Sequence, residues 1–261
     1  MSITKDAMSC SPALLASISR AMLAKGLTQV ALAASLKPSP CEETTIRNMR
    51  NGKRVREKYV EAVCEALDLQ SEFKKELRKN AVADDRFGGY RLGTLPDYEG
   101  TYIEIRRSFS KPSELVRTLY FVNWDQAIRA LSFEHLHEYQ TESGMKSFQH
   151  TGQLAICPSH GYVSFVTLDR GAVRIATVTG LPNRGAPTQE MAGGLFTRRV
   201  ASYRLTPAFT SVILKKIDGG VELTDQKKQM MGRLRLGDLE FEYWDKRLES
   251  VEKELIYVTK R

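Results

Sequence analysis

Between Thr44 and Lys58 the chain places six bases, Arg47, Arg50, Lys53, Arg54, Arg56 and Lys58, against a single acid, Glu57. Cations at that density match the charge of a nucleic-acid backbone. That is where a nucleic-acid surface is to be sought. The competing reading is a solvated helix end followed by a charged loop.

A second concentration is aromatic. Tyr98, Tyr102, Tyr120, Phe121, Trp124, Phe133 and Tyr139 lie near Arg106, Arg107 and Arg129. Facing each other inside a barrel, Tyr102, Arg106, Tyr120 and Trp124 would line a pocket for an anionic or planar small-molecule effector. The alternative is ordinary core aromatics with surface arginines. His135, His137, His150 and His160 are all the histidines. With Cys157 some could approximate a metal site, but no close-spaced cysteine pair supports one, and core or solvated histidine is the plainer reading. Cys10, Cys41, Cys64 and Cys157 form no disulfide framework, and Cys41 and Cys64 read as small apolar fillers. Asp169-Arg170-Gly171 is a hairpin turn before it is catalytic, and Gly185 and Gly193-Gly194 do not follow a phosphate-loop pattern. Ser202, Ser211, Lys215 and Lys216 lack the spacing and cleavage site of a self-cleaving Ser–Lys peptidase. No enzyme activity, cofactor or metal is therefore expected.

The elements that must hold these groups change character near residue 82. Before it, Leu14, Leu15, Ile18, Met22 and Leu23 recur at helical spacing, and Gly26 ends that run. Thr28 caps a second helix through Leu32 and Leu36. Ser39 and Pro40 offer a cap and first position for a third helix through Ile46, a core residue, and Asn51-Gly52 closes it. Val55, Tyr59, Val63 and Leu67 share the face of a fourth segment, and a short last helix carries Phe73 and Leu77. After it, glycines and a proline punctuate 88–100, and residues 101–109 alternate like a strand. Further strands are expected at 115–123, 127–138, 148–157, 162–168, 173–178, 198–205 and 211–216. Such spacing fits an antiparallel sheet. The tail has helical character over 239–251 and a possible strand at 255–258.

Residues 14–69 resemble the phage-repressor (Cro-like, XRE) type of helix-turn-helix domain, on Thr28-Gln29, Thr45-Ile46-Arg47 and Asn51-Gly52. The turn here, from Leu36 through Lys37-Pro38-Ser39-Pro40-Cys41-Glu42-Glu43, reaches Ile46 about three residues later than the family pattern. Either the turn is longer or the third helix starts a turn early. The resemblance implies a third helix in the major groove, a second helix across the backbone, and binding of double-stranded DNA as a homodimer. It puts exposed Thr44, Thr45, Arg47 and Asn48 at base edges, where Arg suits guanine and Asn suits adenine through paired hydrogen bonds. It puts Arg50, Lys53, Arg54 and Arg56 on phosphates, contacts that fix position rather than read sequence, and Gln29, at the start of the second helix, beside a phosphate. Residues 144–217 are vaguely similar to uncharacterised β-rich companion domains of such regulators, which names no ligand.

Charge agrees with that division. The net +8 is uneven, since residues 1–80 hold 14 Lys+Arg against 9 Asp+Glu, and the rest 25 against 22. A 42% hydrophobic content supports a sizeable core. No run of about 18 apolar residues exists, and residues 1–11 lack the apolar core of a signal peptide, so no membrane partner and a cytoplasmic, nucleoid-associated location are expected. The expected architecture is multidomain α+β. It comprises an N-terminal all-α helix-turn-helix bundle at 1–80, a linker or domain entry at 81–100, and a mainly antiparallel β sandwich or barrel at 101–261 for effector sensing or dimerisation. The expected function is sequence-specific transcription regulation. The alternative is a protein-interaction module, such as an antitoxin or phage-defence partner with weak DNA binding.

Overall fold

The structure, a computed structural model, describes residues 7–36, 41–95, 97–141, 144–157, 159–169, 172–180, 190–201, 204–217 and 220–256. The chain divides into two compact units, Met1–Ala81 and Val82–Arg261.

The first unit runs β1 (Ala7–Met8), α1 (Pro12–Ala24), α2 (Gln29–Ser35), α3 (Glu43–Arg50), β2 (Val55–Arg56), α4 (Glu57–Ala66) and α5 (Gln70–Asn80). Caps set the starts. Ser11 Oγ accepts from Leu14 N, with Pro12 at the first position of α1, and Thr28 Oγ1 accepts from Ala31 N at α2. Apolar residues at helical spacing close one core: Ile18 and Met22 of α1, Leu32 of α2, Ile46 and Met49 of α3, Val60 and Val63 of α4, Phe73 of α5. Cys64 packs fully buried among them. The buried Glu76 carboxylate of α5 accepts from Ser11 N at 2.8 Å and Ser11 Oγ at 2.6 Å, tying the last helix to the first cap.

Two expectations need correction here. The unit is not all-α, because β1 and β2 pair antiparallel, and Arg54 Nη2 donates to Ala7 O beside that ribbon. The third helix does not start at Pro40. Its cap is Glu42, extended at ψ 148°, and Cys41 precedes it in irregular chain. Helix α2 ends at Ser35 and α3 begins at Glu43, so the connection rather than the helix is the longer part. Ser39 and Pro40 themselves lie outside the described residues.

The second unit opens with two 3₁₀ turns, Asp85–Phe87 and Leu92–Thr94. Eight strands follow: β3 (Gly100–Arg107), β4 (Leu115–Asp125), β5 (Ala130–Thr141), β6 (Gly144–Cys157), β7 (Tyr162–Asp169), β8 (Ala172–Gly180), β9 (Glu190–Ala201) and β10 (Arg204–Ile217). Each pairs antiparallel with the next, and β10 returns to β3, so the sheet is a closed up-and-down barrel. Then come α6 (Asp225–Met230), β11 (Gly232–Leu234), which adds to β4 outside the closure, and α7 (Phe241–Ile256). Of the two expected sheet forms, the barrel is the one present.

The expected strand at 198–205 spans the hairpin where Ala201 faces Arg204. The strand β9 begins earlier and contains Gly193 and Gly194. A Cβ at Gly193 would come within 2.0 Å of Thr177 O, so that position needs glycine for strand contact rather than for a turn. The tail helix continues through Ile256, which removes a strand at 255–256, and 257–258 lie outside the described residues. Arg170, Gly171, Gly185 and Ser202 are also outside them.

Side chains alternate across the barrel wall. Tyr102, Tyr120, Val122, Phe133, Leu154, Phe165, Val178 and Leu195 fill the interior. Ile103, Ile105, Leu119, Phe121 and Ile213 face outward, where Phe241, Trp244, Leu248 and Val251 of α7 cover them. Arg107 secures that helix, its Nη1 donating to Asp245 Oδ1 at 2.5 Å and its Nε to Glu252 Oε1 at 2.8 Å. Residues 82–95, within the stretch 81–100 read as a linker or domain entry, pack against one end of the barrel. Ala83 and Tyr90 are buried in its core, and Tyr90 Oη accepts from Leu131 N. Among the described residues no helix is long and apolar enough to cross a membrane.

Candidate nucleic-acid interface and barrel interior

Helix α3 sorts its residues by facing. Ile46 and Met49 are fully buried, while Thr44, Arg47 and Arg50 are exposed and Thr45 and Asn48 half-buried. The helical period puts Thr44, Arg47 and Asn48 on one outward stripe. After Arg50, Asn51 caps the helix and Gly52 takes φ 70°, leading into exposed Lys53 and Arg54. Among the described residues Arg47, Arg50 and Lys53 have no carboxylate partner, so their charges stand free in solvent. Arg54 differs, since its hydrogen bond to Ala7 O engages it with the chain's own backbone. Lys58 stacks over the ring of Tyr59. Gln29 is the first residue of α2 and half-buried, and α2 packs against α3. The start of α3 also carries two exposed acids. Glu42 Oε2 accepts from Thr44 Oγ1 at 2.9 Å, and Glu43 sits in the first turn, where the helix dipole favours it.

The four residues read as an effector pocket do not surround one space. All face inward, but Trp124 stands at the end packed by residues 82–95, edge-on to Tyr90, and Tyr102 Oη donates to Tyr98 O near that end. Tyr102 and Tyr120 are essentially without exposed surface and act as core. Arg106 lies toward the other end. Its companions from the wider aromatic and basic set scatter: Phe121 and Arg107 face outward, and Arg129 reaches Val82 O from a turn at φ 54°. The side chain of Tyr139 lies outside the described set.

Arg106 instead belongs to a charged network that composition did not reveal. The fully buried Glu104 accepts from Arg106 Nε at 3.0 Å, and from Arg174 Nη2 at 2.9 and 2.7 Å. Arg174 also donates from Nε and Nη2 to Tyr120 Oη. Burial pushes the Glu104 carboxyl up, but Arg174 and Arg106 outweigh it and hold the group well below the usual carboxylate range. Burial followed by repulsion from Arg174 lowers His135 far below an ordinary imidazole. Burial followed by Arg106 lowers His137 to about 4. Both imidazoles are therefore neutral at neutral pH. His135 Nε2 bonds Thr118 Oγ1 at 2.9 Å, and its ring stacks on His150 at 5.9 Å and near Tyr120 at 4.4 Å.

Cys157 does not join these histidines. It lies at the far end of β6, where Sγ is 2.9 Å from His160 Nδ1 and 3.4 Å from Ser159 Oγ. Those two hydrogen bonds, Ser159 first, lower the thiol to about 7. The residues that sequence reasoning missed are Glu104, Arg174 and Thr167. The usable signal was parity. Tyr102, Glu104 and Arg106 alternate with Ile103 and Ile105, and the presence of an apolar face on the other side disguised the polar one as solvent-facing.

No protein-family model matches the chain, and neither a curated protein nor a solved structure matches it significantly.

Proposed function

We propose that the chain is a sequence-specific, double-stranded-DNA-binding transcription regulator that acts as a homodimer, with the barrel as its effector-sensing or oligomerising part. In this reading α2 and α3 form a helix-turn-helix. The helix α3 lies in the major groove, Arg47 and Asn48 read base edges with Thr44 and Thr45 beside them, and Gln29, Arg50 and Lys53 hold phosphates. The observation that carries the reading is the sorting of α3: its apolar residues are buried to the last atom, and its unpaired cations project outward next to an amide. A free guanidinium costs nothing in solvent, but three uncompensated cations on one short surface attract a polyanion.

A second reading, the protein-interaction module, is favoured by Glu42 and Glu43, which would face phosphate at the end of α3 closest to DNA. Exposed Leu23 and Val30, 83% and 59% accessible, also offer apolar surface to a protein. Titration of the full chain on genomic fragments at several salt concentrations separates the two. A regulator binds its best site far more tightly than random duplex, with log K falling linearly in log salt. Equal affinity for all sequences supports the protein-binding reading instead.

A further inference from the structure

Among the described side chains, two guanidiniums and one carboxylate meet at the polar end of the barrel. Among the described side chains of the inner face, Arg106 and Arg174 share the single carboxylate of Glu104. The hydrogen bonds use Nε and Nη1 of Arg106 and Nε and Nη2 of Arg174, and leave Nη2 of the first and Nη1 of the second outside them. His135 and His137 beside them are neutral at neutral pH.

Two further groups on the same face are buried without partners. Thr167 is 2% exposed and its Oγ1 has no hydrogen bond; strand register sets it directly opposite Arg174. His135 is 1% exposed, and while Nε2 engages Thr118, Nδ1 has no partner. Strand register sets His135 opposite Tyr120, whose hydroxyl accepts from Arg174. A buried polar atom without a partner costs about 1–3 kcal/mol and is uncommon. The Arg174 side chain is 13% exposed, so its guanidinium is not sealed from solvent. The two unpaired atoms beside the free guanidinium edges suit an acceptor with negative charge lying between β7, β8, β5 and β3.

We propose that this end of the barrel binds a small organic carboxylate, with Arg106 and Arg174 supplying the charge and Thr167 and His135 completing its hydrogen bonds. A planar monoanion with two acceptor oxygens suits guanidinium edges. The rings of Phe133 and Phe165, 5.5 Å apart and packed on Tyr120, form an apolar floor beneath the charged layer. Small organic acids with a short apolar body therefore fit better than phosphate. That such a ligand acts as an effector rests on the regulator reading; that it binds does not.

The test uses the full chain in Tris chloride, with acetate, propionate, benzoate or inorganic phosphate added at matched ionic strength. Barrel unfolding is followed by tryptophan fluorescence, and binding by calorimetry. At least one carboxylate should raise the barrel's melting temperature saturably. At about 100 times Kd the folding equilibrium shifts roughly 100-fold. Thr167→Val should melt no lower than the native chain without ligand, because it removes an unpaired hydroxyl, yet bind roughly tenfold more weakly. Arg106→Gln should lose the effect. The proposal is overturned if no carboxylate acts beyond the chloride control, if phosphate binds in their place, or if Thr167→Val binds like the native chain. DNA binding is measured on the same preparation. Carboxylate binding without DNA binding leaves the site standing and removes the regulator; DNA binding without any carboxylate effect does the reverse.

Discussion

Replacing Glu104 by Gln removes the only described carboxylate of the barrel interior while keeping its shape. The carboxylate accepts three guanidinium hydrogen bonds, at 3.0, 2.9 and 2.7 Å, with no exposed surface. The Gln side chain offers one acceptor oxygen, and its amide presents N–H groups to donors. Arg106 and Arg174 are then left facing each other in a low-dielectric interior. Breaking a buried ion pair by removing one partner costs about 3–5 kcal/mol. For a unit of roughly 180 residues that lowers the melting temperature by about 6–20 °C. Both tryptophans of the chain, Trp124 and Trp244, lie in the second unit, so their fluorescence reads barrel unfolding alone. Changing Glu104, Arg106 and Arg174 together to Leu, Met and Met should recover most of the loss, since an apolar set avoids desolvating three charges. A Glu104→Gln barrel that melts within about 1 kcal/mol of the native one would refute the reasoning, because it would mean the two guanidiniums are solvated rather than held by this carboxylate.

The barrel should weaken in mild acid. His135 and His137 have folded pKa values below the unfolded 6.5, so the unfolded chain binds more protons and stability falls as pH drops below 6.5, by about 1.4 kcal/mol per pH unit for each. His137 alone, lowered to about 4, accounts for about 3 kcal/mol by that pH, and His137→Asn should roughly halve the slope in urea titrations between pH 6.5 and 5. Glu104 has the opposite sign, contributing above its unfolded pKa and losing its contribution only at more acidic pH than this window. Iodoacetamide at pH 8 should label Cys157 first, since its thiol lies at about 7, while burial pushes Cys10 to about 11 and Cys64 to about 12. His160→Ala should slow that labelling, and earlier labelling of Cys10 or Cys64 would contradict the arrangement. In the helical unit, Glu76→Ala strands Ser11 N and should cost about 1–3 kcal/mol, read from helical circular dichroism with the tryptophan transition unmoved.

Legibility from sequence followed the range of the forces involved. Helix caps and periodicity act within a few residues, which is why Thr28, Ile46 and Gly52 could be placed in advance. The start of α3 could not, because Ser39-Pro40 reads as a cap and first position in one dimension, whereas the helix is capped at Glu42. In the barrel, turn residues bounded most strands, yet the strand expected at 198–205 missed the start of β9, where Gly193 sits in a close strand contact. The candidate pocket was half legible. Aromatic and basic content marked the right strands, but which groups meet inside depends on register and closure. Glu104 on β3 finds Arg174 on β8 only once the sheet closes.

The regulator reading is tested most directly by the salt dependence and sequence selectivity of DNA binding by the native chain beside Arg47→Ala and Lys53→Ala. Arg47→Ala should cost about 1–3 kcal/mol on the preferred site and relax discrimination at one base position, whereas Lys53→Ala should weaken all duplexes alike and reduce the salt slope by about one. Native affinity that is the same for preferred and random duplex, or two variants indistinguishable from native, would contradict it.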